Sequence, residues 1–338
     1  MYDTKKHECR MFTIKLRNNK TFECDGESTI FEAAKKNGIN LEYSCLSARC
    51  RSCKVKVIAG ETINKAKELV LTNSENKNKF VLSCNAKPLT DLELDIDDLG
   101  EITLFEKKLI PAKISIIERL TENILRIVVR VPPNSKFYFN AGQYVNIIKG
   151  NVTRSYSIAN FPNQKNQLEF YIKNYENGLM SEYFFSEAKI NDLLRLEGPL
   201  GTFFIRESSV KNVIFLATGT GIAPIKAILE GLDKRREQYE NKNLWLIVGA
   251  RYKEDFLWEP NLKNLRIDYI PVLSRQEKDW NGAKGYVQDV VISSKIDLED
   301  SQVYACGSNN MINSAKELFL KNNLKETNFF SDAFVQTN

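Results

Sequence analysis

The stretch YSCLSARCRSCK, residues 43–54, sets three cysteines in the order C-x4-C-x2-C. These are Cys45, Cys50 and Cys53, and a fourth cysteine, Cys84, follows after thirty intervening residues. The small residues between the cysteines let backbone N–H groups come close to the sulfur atoms. Four thiols in this order predict a metal centre with four cysteine ligands.

The ligand spacing is that of a plant-type 2Fe-2S ferredoxin, in which a tight loop supplies three thiolates and a later strand supplies the last. A zinc site also accepts four thiolates, but structural zinc usually presents two short C-x2-C knuckles, and this sequence has one. A Rieske centre is excluded because it needs two histidines and the chain contains only His7. The sequence therefore favours one-electron transfer through a 2Fe-2S cluster, with zinc as the alternative.

The remaining cysteines, Cys9, Cys24 and Cys306, bring the total to seven, an odd number. Because the sequence shows no secretory signal and is long enough to bury a core without staples, we expect reduced thiols rather than disulfides. Cys9 and Cys24 are interpreted as small buried side chains beside paired strands.

Length and composition predict an ordinary globular protein of two or three domains, with 338 residues, 43% of them hydrophobic and 27% charged. The apolar runs are far shorter than the roughly 20 residues that span a bilayer, so a soluble cytoplasmic protein without a membrane segment is expected. The net charge of +5 is dispersed among acids rather than gathered in a block. Nucleic-acid binding is therefore not expected.

Residues 1–100 predict a small α+β domain around the cysteine loop. Alternating apolar residues over 12–24 indicate a β-hairpin. Thr29 and Glu32 form a capping-box pattern that opens a helix over residues 31–37. The other predicted elements are a helix stop at Gly38, strands over 54–58 and 92–96, and an acidic exit into a linker over 95–101. Hairpin, helix, metal loop and strand in this order are typical of a β-grasp ferredoxin.

Residues 105–205 predict an antiparallel β-barrel, because short alternating runs recur there between turn signals. The predicted strands cover 112–116, 124–129, 144–148 and 168–172, and Pro132-Pro133, Ala141-Gly142 and Gly198-Pro199 are interpreted as breaks between strands. Residues 208–338 change rhythm, since buried strands alternate with helices and so predict a doubly wound parallel sheet. The elements predicted there are strands over 213–217, 244–248, 267–270 and 302–305, with a helix over 224–237. The fold class is thus multidomain, α+β followed by α/β.

The barrel segment contains RSYSIAN, residues 154–160. A guanidinium suits a phosphate and an aromatic ring suits a flat cofactor, but these residues alone could equally form an ordinary basic, aromatic strand. The motif resembles the R-x-Y-S-x-x-N signature of the ferredoxin-NADP reductase superfamily. That resemblance implies that Arg154 pairs with flavin phosphate, Tyr156 lies against the isoalloxazine ring and Ser157 reaches its N5 edge. The other flavin contacts it implies are Asn160, a pyrophosphate turn with Gly178, Met180 and Ser181, and the pair Gly198 and Gly201.

The third segment contains TGTGIAP, residues 218–224, between a predicted strand and a helix, which is the context that a phosphate-binding turn requires. Pro224 occupies the third glycine position of G-x-G-x-x-G, and proline is accepted in the first turn of a helix. The resemblance implies a nicotinamide domain in which Cys306 lies beside the nicotinamide C4. The alternative is that Cys306 is a small buried residue at a strand end. The other residues implied in NAD(P)H or cofactor binding are Thr218, Gly219, Gly221, Ser274, Arg275, Gly307 and Phe334.

The resemblance covers nearly the whole chain in the order ferredoxin, flavin barrel, nicotinamide domain. This order is similar to reductases of bacterial aromatic and methane oxygenases and to reductases of 3,6-dideoxysugar synthesis, and FFSDAF, residues 329–334, is most similar to the latter. It implies an enzyme that moves electrons from NADH or NADPH through FAD and the cluster to a partner protein. That partner would be a pyridoxamine-phosphate-dependent CDP-sugar dehydrase or, alternatively, an oxygenase component.

A redox-sensing or scaffolding subunit of the same fold is the non-catalytic alternative, and the complete set of motifs counts against it. One departure from the family pattern is Arg51, where the cluster loop commonly has glycine. This residue bears on the backbone conformation and hydrogen bonding of the loop rather than on its ligands.

Overall fold

The computed structural model describes residues 10–100, 102–163, 165–275 and 279–333. The chain divides into two compact units, Met1–Leu104 and Phe105–Asn338. Three residues discussed above, His7, Cys9 and Phe334, lie outside the described residues. None of the helices in the described ranges is long and apolar enough to cross a membrane.

The first unit is built on a five-stranded mixed sheet in the order β2-β1-β7-β3-β5, with β4 and β6 forming a separate pair. The elements are β1 (Met11–Leu16), β2 (Thr21–Asp25), α1 (Ile30–Lys36), β3 (Lys54–Ala59), β4 (Thr62–Asn64), α2 (Asn73–Lys77), β5 (Phe80–Leu82), β6 (Ala86–Pro88) and β7 (Leu92–Leu94). The predicted hairpin is confirmed, and Thr29 and Glu32 form the predicted capping box at the start of α1. Alternate side chains of β1 and β2 are buried against α1, so this sheet face and helix enclose the core.

The second unit begins with a six-stranded antiparallel sheet, a half-barrel, in the order β11-β10-β13-β8-β9-β12. Its strands are β8 (Lys108–Thr121), β9 (Ile124–Arg130), β10 (Tyr144–Lys149), β11 (Val152–Ser157), β12 (Gln167–Lys173) and β13 (Leu193–Leu200), and the short helix α3 (Leu179–Glu182) follows β12. All four strands predicted in this segment are confirmed. Their inward side chains form one core.

The interpretation of Gly198-Pro199 as a strand break was wrong, because β13 continues through both residues to Leu200. The peptide bond between them is cis, and the pairing of β13 with β10 shifts register here, since Tyr144 faces Leu200 whereas Asn146 faces Glu197. Proline is tolerated within a sheet at a bulge of this kind, where no ladder N–H is required.

The rest of the second unit is a six-stranded parallel sheet in the order β17-β16-β15-β14-β18-β19. Its elements are β14 (Asn212–Thr218), α4 (Ile222–Lys234), β15 (Asn243–Ala250), β16 (Asp268–Leu273), β17 (Ala283–Lys284), α5 (Val287–Ser293), β18 (Ser301–Gly307), α6 (Asn309–Lys321) and β19 (Phe329–Ala333). The predicted strands are confirmed. The helix predicted over 224–237 is shorter, because α4 ends at Lys234 and a separate 3-10 turn covers Arg236–Gln238.

Alternate residues of β14 enter two different cores, one shared with α4 and the other with α5 and α6. The sheet is therefore covered by helices on both faces, as the sequence predicted. The chain leaves β14 toward β15 on one side and returns to β18 on the other. In such sheets ligands bind beyond the carboxyl ends of the strands at this switch point. The ends of β14 and β18 are therefore the place to look for a nucleotide.

Candidate functional site

The cysteine loop wraps its backbone around one sulfur. The amides of Ser47, Arg49 and Cys50 donate to Cys45 Sγ at 3.4, 3.4 and 3.3 Å, and the amide of Cys45 donates to Cys50 Sγ at 3.3 Å. This geometry depends on left-handed backbone at Leu46 and Ala48, with φ of 51° and 56°. The loop thus concentrates hydrogen-bond donors on thiol sulfurs, as the sequence predicted from its small residues.

The four predicted ligands lie as two pairs of thiols. Cys45 and Cys50 exchange the bonds described above, and Cys53 Sγ lies 3.3 Å from Cys84 Sγ. Each of the two irons of a 2Fe-2S cluster takes two protein ligands, so two thiol pairs are the donor set that such a cluster needs. The hydroxyl of Ser83, next to Cys84, is buried and has no partner among the described residues. The donor set therefore fits the cluster.

Within each pair, one thiol is set to ionise. The hydrogen bond from the Cys50 thiol, supported by those from Ser47 and Arg49, lowers the pKa of Cys45 to about 4. The Cys53 thiol acts in the same direction on Cys84 and lowers the pKa of Cys84. The same hydrogen bonds, together with burial, raise the pKa of Cys50 and of Cys53. Since metals bind thiolates, the loop favours the charged form at one ligand of each pair.

Arg51 occupies a position where the family commonly has glycine, and its backbone φ is positive, at 67°. Its guanidinium donates to Val70 O at 2.6 Å and forms an ion pair with Glu75, and Lys54 reaches the same carboxylate at 2.8 Å. Burial alone would raise the pKa of Glu75, but Lys54, the amide of Thr72 and Arg51 together lower it to about 2. These contacts hold a non-glycine residue in the left-handed region, so the departure from the family pattern does not disrupt the ligand loop.

The flavin signature lies on β11 and the chain that follows it. Arg154 and Tyr156 lie on one face of β11, and Ser157 is buried at the end of the strand. Arg154 Nη1 donates to Thr153 O at 2.9 Å. The Tyr156 ring meets Phe184 edge-on with centroids 6.3 Å apart, and burial raises the pKa of Tyr156. The three residues predicted to contact the flavin phosphate, ring and N5 edge therefore all lie on β11, toward its carboxyl end.

The predicted flavin contact Asn160 uses its side chain on the backbone. Its Nδ2 donates to Phe161 O at 2.9 Å and Gln167 O at 3.1 Å, and its Oδ1 accepts from the amide of Glu169 at 2.7 Å. The side chain therefore fixes the end of the signature segment against β12.

The predicted pyrophosphate turn is closed by its own residues. Ser181 Oγ donates to Gly178 O at 2.8 Å, accepts from the amide of Tyr175 at 3.2 Å, and lies where a Cβ on Gly178 would be only 2.5 Å away. Met180 is buried in the barrel core. Gly201 adopts a φ of 83°, and its carbonyl accepts from Gln143 Nε2 at 2.8 Å. Gly178 allows the Ser181 side chain to approach the backbone closely, and Gly201 supplies a left-handed backbone conformation. The side chains of Met180 and Ser181 are buried in the protein.

The predicted nucleotide turn and the Cys306-Gly307 pair meet at the switch point of the parallel sheet. A Cβ on Gly221 would lie 2.2 Å from Cys306 O, and a Cβ on Gly307 would lie 2.1 Å from Thr218 Oγ1. Thr218 Oγ1 also accepts from the amide of Ser308 at 3.3 Å. Pro224 lies in the first turn of α4, as predicted. Two motifs far apart in sequence therefore meet through backbone groups and the Thr218 hydroxyl, and the two glycines leave no room for a side chain of their own.

The Cys306 side chain is fully buried in the core shared with α4, and burial raises the pKa of its thiol well above the ordinary value. Ser274 and Arg275 follow β16 at the same edge of the sheet. Ser274 Oγ donates to Ala250 O at 3.1 Å, and Arg275 Nη1 donates to Tyr252 Oη at 2.6 Å. Arg275 is exposed and remains accessible for a phosphate. Phe334, also predicted, lies outside the described residues.

A thiolate loop with amides aimed at its sulfurs, a flavin signature strand and a nucleotide turn at a sheet switch point define a class of protein. That class is the iron–sulfur flavoprotein oxidoreductase. Three family models match in the same order, a 2Fe-2S iron-sulfur cluster binding domain over residues 14–89, an oxidoreductase FAD-binding domain over 111–205 and an oxidoreductase NAD-binding domain over 215–317.

Relatives are found along almost the full length. The chain is 39% identical over 315 residues to the CDP-6-deoxy-L-threo-D-glycero-4-hexulose-3-dehydrase reductase of Yersinia pestis, covering 93% of this chain and 95% of that one. It is 29% identical to DmpP, the reductase component of phenol 2-monooxygenase from Pseudomonas sp. strain CF600, covering 92% and 91%. The solved Amycolatopsis cytochrome P450 reductase GcoB superposes with a TM-score of 0.71 at 22% identity, covering 96% and 98% of the two chains. The chain belongs to the iron–sulfur flavoprotein reductase family of the ferredoxin-NADP reductase superfamily.

The cofactors of this NAD(P)H-dependent reductase are therefore a 2Fe-2S cluster, FAD and a nicotinamide dinucleotide. The match to a 2Fe-2S domain decides against the zinc alternative. Like its relatives, the reductase delivers electrons to an acceptor protein. Sequence reasoning missed Ser83 and Gln143, which carry no motif, and also Glu75, whose Thr72-x-x-Glu75 capping-box pattern marks a helix start but not its contact with Arg51.

Proposed function

We propose that this reductase carries electrons from NAD(P)H to a pyridoxamine-phosphate-dependent dehydrase that acts on a CDP-linked 6-deoxyhexulose in 3,6-dideoxysugar synthesis. The observation that best supports this acceptor is the 39% identity to the Yersinia pestis dehydrase reductase over 93% of the chain. The sugar stays on the dehydrase, and this chain supplies electrons alone. The exchange takes place in the cytoplasm, where free thiols remain reduced.

Each cofactor has its own segment in this proposal. Residues 1–100 hold the cluster, 105–205 hold FAD and 208–338 bind NAD(P)H. The flavin, when bound, accepts a hydride from the nicotinamide and releases the two electrons singly to the cluster. The chain supplies the arrangement of the three groups and the hydrogen bonds that set their potentials.

The roles of individual residues follow from the chemistry of their side chains. Arg154 binds the flavin phosphate through its guanidinium, which suits a phosphate bidentately. Tyr156 would support the flat ring, and the Ser157 hydroxyl would hold its N5 edge. Amides at the start of α4 face the dinucleotide phosphates, and Cys306 lines the hydride path. Cys45, Cys50, Cys53 and Cys84 bind the irons.

One molecule of NAD(P)H supplies the electrons for one molecule of product. NAD(P)H delivers a hydride, which is two electrons and one proton, and solvent supplies the second proton. Reduction of the dehydrase-bound intermediate consumes both electrons and both protons and leaves NAD(P)+. A 2Fe-2S cluster held by the four cysteines would supply one-electron chemistry, so each product would require two transfers to the dehydrase.

The decisive experiment combines the purified reductase, NAD(P)H, CDP-4-keto-6-deoxyglucose and a competent pyridoxamine-phosphate dehydrase. We expect a 3,6-dideoxy product, detected by mass spectrometry, that requires all components. A transient docking surface should be partly electrostatic, so turnover should fall as salt is raised past about 0.1 M, where the Debye length is about 10 Å. Absence of product, with intact reduction of small one-electron acceptors, would show that the acceptor is a different protein.

The second candidate is the reductase component of an aromatic-ring or methane oxygenase. It is favoured by the 29% identity to the phenol 2-monooxygenase reductase over 92% of the chain. Both candidates release electrons from the same cluster, so the acceptor alone separates them. Rapid reduction of an oxygenase component and no dideoxysugar product would favour this second function.

A further inference from the structure

A cluster of charges with a buried centre, Lys226 and Glu169, and two partly exposed members, Arg126 and Glu230, joins the flavin segment to α4 in the second unit. Lys226 on α4 is only 8% exposed, and Glu169 on β12 is also 8% exposed. Lys226 Nζ lies 2.7 Å from Glu230 Oε1 and 3.4 Å from Glu169 Oε1, and Arg126 Nη2 lies 3.1 Å from Glu169 Oε2. The motifs that bind cofactors account for none of these four residues.

Two of the charges hold the backbone that follows the flavin signature. Lys226 Nζ donates to Ala159 O at 2.9 Å, and the amide of Phe161 donates to Glu230 Oε2 at 2.9 Å. The Phe161 ring also lies where a Cβ on Gly231 would be 2.7 Å away, so the helix backbone approaches it closely. One turn of α4, from Lys226 to Glu230, therefore holds both ends of residues 159–161 by hydrogen bonds.

The segments joined in this way, the end of the flavin strand and the start of α4, are those where FAD and the nicotinamide must meet. Ala159 lies two residues after Ser157, which is proposed to hold the flavin N5 edge. Lys226 lies two residues after Pro224, at the end of the nucleotide turn. The lysine thus connects the end of the flavin strand to the start of the nucleotide helix through a single side chain.

Stability alone is a weak explanation for such a cluster. Taking charges out of water costs several kcal/mol for each ion, and a buried ion pair is often no more stabilising than apolar residues of similar volume. Its directional hydrogen bonds do, however, select one arrangement of the two elements. Hydride transfer is sensitive to arrangement, because a misplacement of about 1 Å can cost about 100-fold in rate.

We propose that Lys226 and Glu230 are positioning residues that fix the nucleotide turn against the flavin strand and thereby set the approach of nicotinamide to flavin. Both side chains act through their protein contacts with the backbone of Ala159 and Phe161. The inference rests on the NAD(P)H-to-FAD step of the proposed function and is independent of which protein accepts the electrons.

The test uses the full-length protein loaded with FAD and cluster. Lys226→Met removes the charge, Lys226→Arg keeps it, and Glu230→Gln keeps the shape of the carboxylate. The matched control is Lys321→Met, which removes the lysine of another Lys–Glu pair at i,i+4, Lys321 and Glu317 on α6, where the side chains are 69% and 72% exposed. Flavin reduction by saturating NADPH is followed anaerobically by stopped-flow absorbance, together with the charge-transfer band that reports nicotinamide stacked on flavin.

We expect Lys226→Met to slow flavin reduction by about 10- to 100-fold and to weaken the charge-transfer band, with FAD content and NADPH affinity within about twofold of the parent. Lys226→Arg should recover most of the rate, Glu230→Gln should show a smaller loss, and Lys321→Met should match the parent. The deuterium isotope effect with 4-deuterated NADPH should approach its full value in Lys226→Met, because hydride transfer then limits the rate.

A folded Lys226→Met with a normal flavin-reduction rate and charge-transfer band would overturn the proposal, even if its melting temperature were lower. If Lys226→Met does not fold, Glu230→Gln decides in the same way, and a normal band and rate there would overturn it. Failure of the parent protein to reduce its flavin with either NADPH or NADH would instead refute the NAD(P)H reductase function on which the inference rests.

Discussion

Replacing Gly221 with alanine should move the nucleotide turn without changing any side chain that binds a cofactor. The backbone φ of Gly221 is −63°, which alanine adopts readily, so conformation is not the obstacle. Space is the obstacle, because the added Cβ would lie 2.2 Å from Cys306 O and 2.7 Å from Gly307 N, whereas ordinary contact begins at 3.4 Å. Both neighbours are backbone atoms at the end of β18 and have no rotamer to change. The turn must therefore move away by about 1 Å.

A displacement of about 1 Å between reacting groups can cost about 100-fold in rate, so we expect flavin reduction by NADPH to slow by about 30- to 100-fold in Gly221→Ala. Overpacking should cost a further 1–3 kcal/mol, roughly, in the free energy of unfolding. The assay is anaerobic stopped-flow reduction of FAD at saturating NADPH, with thermal unfolding measured on the same sample.

The matched comparison is Gly219→Ala in the same turn. Gly219 has a φ of 54° and nothing within 4 Å of an added Cβ, so alanine meets a conformational penalty there but no clash. That penalty, about 1–2 kcal/mol, falls on the free energy of unfolding and not on the barrier, because nothing forces the turn to move. We therefore expect a loss in rate below about tenfold. Equal losses in the two variants, or an unaffected Gly221→Ala, would refute the steric argument.

Four further substitutions test the path of the electrons. Cys53→Ser should abolish transfer to one-electron protein acceptors while NADPH-driven reduction of a flavin-level dye persists, because flavin precedes cluster; parallel loss of both activities at full FAD occupancy would contradict that order. Cys306→Ala should slow flavin reduction and leave the cluster absorption spectrum unchanged, whereas unchanged kinetics would favour a purely structural thiol. Arg275→Ala should lower kcat/KM for NADPH more than for NADH, since a guanidinium pairs with the 2′-phosphate, and equal losses would make it a surface charge. Arg51→Gly should make the cluster potential more negative in an EPR-monitored titration, because a positive charge leaves the ligand loop; charge-assisted bonds worth about 1.5–3 kcal/mol are lost, partly offset by relief of about 1–2 kcal/mol of left-handed strain. A potential at or above that of the parent would count against the Arg51 argument.

Sequence periodicity predicted the fold well where strands are long and their burial alternates or is complete. The β1–β2 hairpin and the run of β14 are clear in the sequence, because each side chain's burial follows from its position in the strand. The three-residue strands β4 and β6 were not predicted, because so few residues show no periodicity. The five-residue α2 was also missed, although Thr72 and Glu75 form a capping-box pattern at its start. At Gly198-Pro199 a turn signal was misread, because a cis bond within a bulge has the same sequence as a break between strands.

The residues of the candidate site also divide into those that the sequence could predict and those that it could not. Cysteine spacing and the signature motifs identified positions that share a local loop or strand. The Lys226 cluster could not be predicted, because its bond to Ala159 spans 67 residues and a lysine in an amphipathic helix gives no sign of burial. Arg51 could be recognised as a departure from the family, but its partner Glu75 follows only from the fold.

The close contact between the nucleotide turn and the end of β18 also restricts how this enzyme can change. Gly221 is held against the backbone of Cys306 and Gly307, and Gly307 is held against Thr218, so a larger residue at either position displaces its neighbour. Because enlarging one glycine does not relieve the clash at the other, each site is constrained separately, although the same contact between turn and strand imposes both constraints. If Arg275 selects the coenzyme as predicted, variation in coenzyme preference should fall on Tyr252 and Arg275, where side chains face solvent. A laboratory evolution experiment that selects for the other nicotinamide should collect its substitutions there and leave Gly221 and Gly307 unchanged.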